Sequence, residues 1–172
     1  MSEHDLAVLL ERHHADAFGW ALSCCAWDRD EAEDVLQTSY LKVLDGRARF
    51  GGRSSFKTFL FGVVRRTAAE ARRRRAIRRW VGLNRLIDPP EGAAHWDAAA
   101  HLARSEAAEA LTRALAGLPR RQREVLHLVF YQELTIREAA DVLGVSLGTA
   151  RRHYERGKAA LRRGLEAEPG RA

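Results

Sequence analysis

The stretch LTIREAADVLGVSLGTARRHYERGK, residues 134–158, decides the fold of the C-terminal part of the chain. Thr135, with Glu138 three residues later, has the pattern of a capping box, in which each side chain satisfies a backbone N–H group at the start of a helix. Gly144 suits the left-handed residue that ends such a helix, and Ser146 is suited to cap the next one. The pattern predicts two helices joined by a tight turn, a helix-turn-helix.

The second of these helices is predicted to run from Leu147 to about Leu165 and to carry a basic face. In helix-turn-helix proteins the second helix enters the major groove, and the residues near its N-terminus reach base edges. Arginine suits guanine O6 and N7 as well as phosphate, and a helix N-terminus favours phosphate. The early turns of the helix present Thr149, Arg151, Arg152, Glu155 and Arg156 as candidate DNA contacts. A plain helical hairpin with a solvated basic face is the alternative that this pattern leaves open.

Apolar residues recur at helical spacing along most of the remaining chain, which predicts an all-α protein. An opening amphipathic helix is predicted over residues 6–22, a second over 28–45, and a third from residue 56 into an arginine-rich stretch, with Ser54 or Ser55 as its N-cap. The predicted core side of the second helix consists of Val35, Leu36, Tyr40, Val43 and Leu44.

The chain is predicted to form two small helical domains joined by a flexible linker. Residues 81–100 have little periodicity and contain Pro89-Pro90, which cannot continue a helix. We therefore expect domains at residues 1–80 and 101–172. In the second domain, Leu102, Leu111, Leu115 and Leu118 indicate one helix, and Pro119 fits the first turn of the next. The predicted core side of that next helix is Val125, Leu126, Val129 and Phe130.

Composition narrows the class of partner. The 172 residues carry a formal net charge of +6, which favours a polyanion such as nucleic acid. The only two cysteines, Cys24 and Cys25, are adjacent and fit a reducing compartment better than a disulfide framework. The polar N-terminus has no apolar signal segment, and no apolar run approaches the roughly 20 residues of a membrane span. We expect a cytoplasmic protein without membrane insertion.

Two sets of motifs in this order resemble the extracytoplasmic-function sigma factors. DEAEDVLQ at residues 30–37, with YLKVL at 40–44, and FGGRSSFKTFL at 50–60 look like sigma region 2. LPRRQREV at residues 118–125 and the helix-turn-helix resemble region 4. The resemblance covers nearly the whole chain. It implies a protein that directs RNA polymerase to promoters and performs no catalysis, so that no catalytic residue, metal or cofactor is expected.

The resemblance implies a function for each surface. Asp34, Gln37, Leu41 and Asp45, which share one side of the second helix, would bind the β′ clamp helices of core RNA polymerase, whereas their spacing alone fits a solvated face equally well. Phe50, Arg53, Ser54 and Phe56 would capture a flipped base of the −10 element. The melted strand and upstream phosphates would be followed by Lys57, Arg65, Arg66, Arg72, Arg73 and Arg74. The −35 element would be read by Arg151, Arg152, Glu155 and Arg156, and its phosphates would be met by Ser146 and Thr149.

The expected partners are core RNA polymerase, contacted at the β′ clamp helices and the β flap, promoter DNA and an anti-sigma factor. We expect no stable homo-oligomer. Two other classes of protein fit part of the sequence. A DNA-binding regulator that works without polymerase would share the C-terminal motif but leaves Asp34, Gln37 and Leu41 unexplained. A metal protein or enzyme would have to use His13-His14 and Cys24-Cys25, whose adjacent side chains make a poor tetrahedral site.

Overall fold

The computed structural model describes residues 3–80 and 106–166, and these residues are helical apart from turns and loops. The chain folds as two compact units, Met1–Ala93 and Ala94–Ala172. The predicted linker at residues 81–100 and Leu102 lie outside the described residues.

The first unit contains four helices: α1 (Glu3–Arg12), α2 (His14–Cys24), α3 (Arg29–Leu44) and α4 (Phe56–Trp80). α2, α3 and α4 pack against one another, and α1 packs on α2 and α3. The fully buried Trp20 lies at the centre of the unit, where its indole Nε1 donates a hydrogen bond to the Phe61 carbonyl oxygen over 3.1 Å. Because a buried indole N–H needs an acceptor, this bond fixes α2 against α4.

The first unit corrects two expectations. The opening segment is two helices that break at His13, where φ is −100° and ψ is 10°, instead of one. Leu10 and Ala17, seven residues apart, are both buried in the two-helix arrangement. They would also share a face in one unbroken helix, so the spacing of apolar residues does not reveal the break. Leu44 is exposed although Val35, Leu36 and Val43 are buried as predicted, because it lies seven residues after Gln37 and three after Leu41, on the exposed side of α3.

The second unit consists of α5 (Glu106–Ala116), α6 (Arg120–Leu126), a π-helical turn (His127–Tyr131), α7 (Ile136–Leu143) and α8 (Leu147–Glu166). α8 packs on α5, α6 and α7. Gly157 lets α8 approach α6 closely, since a Cβ at this position would lie 3.0 Å from Leu126 Cδ1. Pro119 is the N-cap of α6, one position before the predicted first turn.

The π-helical turn was not predicted, and it changes which side chains are buried. Its bond from the Gln132 N–H to the His127 carbonyl oxygen joins residues i and i+5, so the phase of the α-helical pattern is lost here. Val125 and Leu126 are buried as expected, whereas Phe130 is 57% exposed. The prediction of Phe130 as a core residue is therefore wrong.

Candidate nucleic-acid and partner interfaces

The exposed side of α3 carries three of the four residues predicted to contact polymerase, and the fourth, Asp45, is the C-cap of the helix. Asp28 caps the helix by accepting a hydrogen bond from the Glu31 N–H, and Val35, Leu36 and Val43 fix the buried side. The opposite side therefore faces solvent. Leu41 is 58% exposed there, and the exposed polar members of the set are Asp34, Gln37 and Asp45. A large exposed apolar side chain among polar ones is a feature of surfaces that bind a partner.

Asp45 makes its contacts within its own chain. Its carboxylate lies 2.6 Å from Arg47 Nη2 and accepts a hydrogen bond from the Arg47 backbone N–H. The Arg47 side chain lowers the pKa of Asp45. Asp45 therefore holds the first turn of the following loop, and Asp34 is the other carboxylate of the four-residue set.

Three phenylalanine rings hold the loop between α3 and α4. Phe50 lies 5.5 Å from Phe56 and 5.3 Å from Phe59 between ring centroids, and the two partners are 5.9 Å apart. The loop also needs the left-handed backbone of Gly46 and Gly52, whose φ angles are 74° and 69°. Because Phe56 is buried, it supports the loop from below and does not present its ring to solvent. Its predicted contact with a flipped base stays a prediction.

The polar residues predicted in this loop occupy different positions. Arg53 is exposed, and the Ser54 hydroxyl donates a hydrogen bond to the Ser55 carbonyl oxygen. Ser55, not Ser54, is the cap of α4, because its Oγ accepts a hydrogen bond from the Thr58 N–H. Arg53 is thus the side chain of the loop that is best placed to meet a ligand.

A cavity of about 390 Å³ opens between the end of α3, the loop and α4. Phe59 and Val63 form its apolar wall, and four cationic side chains line it: Lys42, Arg47, Arg49 and Arg66. Lys42 is fixed there by Glu70 at 2.7 Å and Thr67 at 3.1 Å, and Lys42 lowers the pKa of Glu70. Glu70 also lines the cavity and pairs with Lys42, and Arg47 pairs with Asp45, so Arg49 and Arg66 are the cations best placed to meet a planar, phosphate-bearing group. Sequence reasoning omitted Lys42, Arg47 and Arg49 from the site, since only the folded loop brings them beside α4.

The basic side chains of α4 divide into two classes. Arg72 donates from Nη1 to the Cys24 carbonyl oxygen over 2.8 Å and so fastens α4 to the end of α2. The Lys57 ammonium lies 2.9 Å from Asp16 Oδ2, and Arg65 is half-buried. Arg66 and Arg73 are exposed, and Arg74 is exposed with only a 3.6 Å approach to Glu70. The predicted strand contacts are therefore best sought among Arg66, Arg73 and Arg74.

The helix-turn-helix forms as predicted. Thr135 and Glu138 make both bonds of the capping box, and Gly144 ends α7 with φ 60°. Ser146 Oγ accepts a hydrogen bond from the Thr149 N–H and lies 2.9 Å from Thr149 Oγ1, so both side chains are at the N-terminus of α8. Ala140 and Ala150 are buried where α7 and α8 meet.

The exposed side of α8 carries the remaining predicted contacts, Arg151, Arg152, Glu155 and Arg156. At about 100° per residue they occupy an arc of about 140° on the first turns of the helix. An aromatic pair that the sequence did not suggest lies beside them. Phe130 of the π-helical turn stacks on Tyr154 at 5.9 Å, and Lys158 Nζ lies 5.0 Å from the centre of the Tyr154 ring.

Cys24 and Cys25 are both buried, and burial raises the pKa of Cys25 to about 12. A thiol with so high a pKa is a poor nucleophile at neutral pH. Within residues 3–80 and 106–166, no group of three histidine, cysteine or acidic side chains is placed to hold a metal ion. Over the same residues no helix is long and apolar enough to cross a membrane.

Comparison with known proteins agrees with this geometry. The Sigma-70 region 2 model matches residues 9–78, and the Sigma-70 region 4 model matches residues 108–161. The chain is 30% identical to the extracytoplasmic-function RNA polymerase sigma factor SigX of Bacillus subtilis, over 95% of this chain and 85% of SigX. The chain belongs to the extracytoplasmic-function sigma factors. The protein therefore acts in the initiation of transcription at promoters.

Two solved structures share the fold of this sigma factor. RpoE of Bartonella quintana, crystallised in complex with the anti-sigma factor NepR, superposes with a TM-score of 0.73 at 22% identity and covers 96% of this chain and 99% of its own. CnrH, in complex with the cytosolic domain of CnrY, gives a TM-score of 0.64 at 21% identity and covers 98% of this chain and 92% of its own. At these identities the likeness concerns the fold.

Proposed function

We propose that this sigma factor binds core RNA polymerase through the exposed side of α3 and recognises promoters with two separate surfaces. The observation that carries the proposal is Leu41, which is 58% exposed between Asp34, Gln37 and Asp45 on a helix whose other side is buried. A leucine in a ring of polar residues supports docking onto a helical partner, because the leucine supplies apolar contact and the polar groups fix the orientation. The β′ clamp helices are the proposed partner, and the β flap is the proposed second contact.

The cavity beside α4 is the proposed site for a flipped base of the −10 element. A base removed from the stack needs an apolar surface for its ring and cations for the adjoining phosphates. Phe59, which is partly exposed, would supply the first, and Arg49 and Arg66 would supply the second. Arg53, Arg73 and Arg74 extend the cationic surface outside the cavity, whereas Phe50 and Phe56 keep the loop in place.

The first turns of α8 are the proposed reader of the −35 element. Arg151, Arg152 and Arg156 would bind guanine edges or phosphates, and Glu155 could accept from a cytosine amino group. The Ser146 and Thr149 hydroxyls already form a hydrogen bond with each other at the N-terminus of α8. A phosphate bound there would therefore interact with the remaining backbone N–H groups of the first turn as much as with the two hydroxyls.

We also propose control by an anti-sigma factor, cytoplasmic location and the absence of a stable homo-oligomer. The solved structures of RpoE and CnrH, each in complex with a second protein, support the first of these. An inhibitor that covered Leu41 would compete directly with polymerase. Residues 1–80 and 101–172 remain the proposed domains, with 81–100 as the linker.

The test is transcription from fragmented host DNA by core RNA polymerase with and without the purified protein. Wild-type protein should give discrete start sites that share −10 and −35 elements. The charge reversal Asp34→Arg should abolish both association with core polymerase and initiation, because it replaces an anion of the docking face by a cation. The matched control is Glu11→Arg, a charge reversal at an exposed position of α1, which should leave both intact.

A stand-alone regulator would give a different result. Such a protein would bind discrete DNA sites through α8 but would neither associate with core polymerase nor start transcription, and Asp34→Arg would then behave like Glu11→Arg. That outcome would refute the proposed function of α3.

A further inference from the structure

The end of α4 carries two large apolar side chains that its own unit does not bury. Ile77 is 62% exposed and Trp80 is 91% exposed, although tryptophan is ordinarily well buried in a folded domain. Arg72, which bonds the Cys24 carbonyl, and Arg75, which pairs with Glu31, tie the preceding turns of this helix to its neighbours. Beyond Arg75 the helix presents Ile77 and Trp80 to solvent.

These two residues continue the cationic side of the helix. At about 100° per residue, Arg66, Arg73, Ile77 and Trp80 fall within an arc of about 60°, so they form one stripe along α4. Arg74 is exposed beside it. The only acidic residue in the sequence of α4, Glu70, is paired with Lys42 at 2.7 Å and approached by Arg74 at 3.6 Å. The charge of the stripe is therefore positive, which selects a polyanion as its occupant and disfavours a basic or purely apolar partner.

The stripe begins at the cavity proposed for the −10 base, since Arg66 lines that cavity. Fourteen residues separate Arg66 from Trp80, which at about 1.5 Å per residue is about 21 Å along the helix axis. Duplex DNA rises about 3.4 Å per base pair, so this length corresponds to about six base pairs. A strand that enters the cavity and follows α4 would bring the duplex upstream of the −10 element to Ile77 and Trp80.

We propose that Ile77 and Trp80 form a contact for duplex DNA just upstream of the −10 element, and this inference rests on the proposed function. The arginines of the stripe bind the phosphates, and the two apolar side chains lie against the deoxyribose wall of the groove. The contact adds affinity without reading bases, because it uses sugar and phosphate groups that every sequence presents. It would favour promoters whose upstream duplex is accessible over isolated −10 sequences.

The experiment measures binding of holoenzyme to two forms of a promoter found in the transcription assay. One form ends about 2 base pairs upstream of the −10 element, and the other continues for about 12 base pairs, beyond the reach of α4. Trp80→Ala should weaken binding to the long form about five- to tenfold and leave binding to the short form unchanged. Trp80→Phe, which keeps an apolar ring, should restore most of the loss.

Val8→Ala is the matched control, because Val8 is an exposed apolar residue of the same unit, 43% exposed on α1. It should bind both DNA forms as wild type does. If Trp80→Ala binds both forms as wild type does, or weakens both equally, the inference is wrong. It is also wrong if the variant loses association with core polymerase or an anti-sigma factor but not with DNA, which would assign the pair to a protein partner. If wild-type holoenzyme binds neither form, the proposed function itself fails.

Discussion

The Nη2 atom of Arg75 lies 2.6 Å from Oε1 of Glu31, and this ion pair ties the outer part of α4 to the first turn of α3. The Glu31 side chain is 9% exposed and the Arg75 side chain 42% exposed, so the carboxylate depends on the guanidinium more than the reverse. The hydrogen bond that Arg75 donates to Glu31 raises the pKa of Arg75. Two arginines of this helix thus differ: Arg75 is partly buried and pairs with Glu31, whereas Arg73 is exposed.

Substitution of these two arginines should separate stability from DNA binding. Arg75→Ala leaves the largely buried Glu31 carboxylate without this cation and should lower the free energy of unfolding by about 1–3 kcal/mol. Arg73→Ala should change it by less than about 0.5 kcal/mol. In DNA binding, Arg73→Ala should reduce the slope of log affinity against log salt by about 1, because one phosphate contact is lost. Urea denaturation and salt-dependent binding by holoenzyme measure the two effects.

Equal effects of the two substitutions on stability would contradict the structural division of the run. If Arg73→Ala leaves the slope of log affinity against log salt unchanged, Arg73 does not contact DNA. That result would not bear on the ion pair between Arg75 and Glu31.

The buried His127 should make the second unit sensitive to acid. Burial lowers the pKa of His127 from 6.5 to about 4, and its surroundings are the Tyr131 ring, stacked at 5.5 Å, and the Gln132 amide at 3.4 Å. The imidazole is neutral in the folded protein, whereas the unfolded chain takes up a proton below pH 6.5. The stabilisation is therefore complete above pH 6.5 and is lost as the pH falls towards 4.

Between about pH 7.5 and about pH 5, this one group should lower the free energy of unfolding of the second unit by about 2 kcal/mol. His127→Gln removes the titrating group. Between the two pH values, the free energy of unfolding of the variant should therefore fall by about 2 kcal/mol less than that of the wild type, whatever the stability of the variant at neutral pH. The measurement is urea denaturation of both proteins at the two pH values. Parallel pH profiles would show that His127 is protonated as readily in the folded state as in the unfolded one.

The packing of α8 on α6 should be tested at two glycines of the same helix. Gly157→Ala would place a Cβ 3.0 Å from Leu126 Cδ1 and 3.3 Å from Gln122 Cβ, so we expect a loss of about 1–2 kcal/mol despite the better helix propensity of alanine. Gly148→Ala meets nothing within 4 Å and should stabilise by about 0.5–1 kcal/mol. Thermal denaturation compares them, and a stabilising Gly157→Ala would show that α6 and α8 are not in close contact.

The elements of this fold that the sequence predicts well are those with local signals. The capping box at Thr135 and the left-handed end at Gly144 depend on neighbouring residues only, and both are present as predicted. The break at His13 and the π-helical turn at 127–131 have no such signal, because the first preserves the phase of the apolar pattern and the second depends on packing. Helix boundaries that are set by tertiary contacts cannot be predicted from the spacing of apolar residues.

The candidate site divides in the same way. Exposure of Asp34, Gln37 and Leu41 follows from the helical period of α3, so the spacing predicts that they face solvent, whereas only the family resemblance indicates a partner. The partners of Lys57 and Arg72 are Asp16 and the Cys24 carbonyl, which lie 41 and 48 residues away in the chain. Pairings over such distances are set by the folded bundle, and therefore the sequence could not separate structural cations from exposed ones.

The exposed face of α8 gives the last prediction, which decides between base recognition and a solvated basic face. Arg151→Ala and Arg152→Ala should each weaken binding to the −35 element by about 1–3 kcal/mol, or about five- to 150-fold, and relax the preference for the base that the arginine contacts. Arg162→Ala is the matched control, because Arg162 is exposed on the same helix, 11 residues or about 16 Å beyond Arg151.

Glu155→Ala should change sequence preference more than affinity, since a carboxylate repels phosphates but accepts a hydrogen bond from cytosine. Selection of bound sequences from a randomised −35 element by each variant holoenzyme gives the readout. If Arg162→Ala costs as much as Arg151→Ala and all variants select the same sequences, α8 binds only phosphates and the recognition of the −35 element must lie elsewhere.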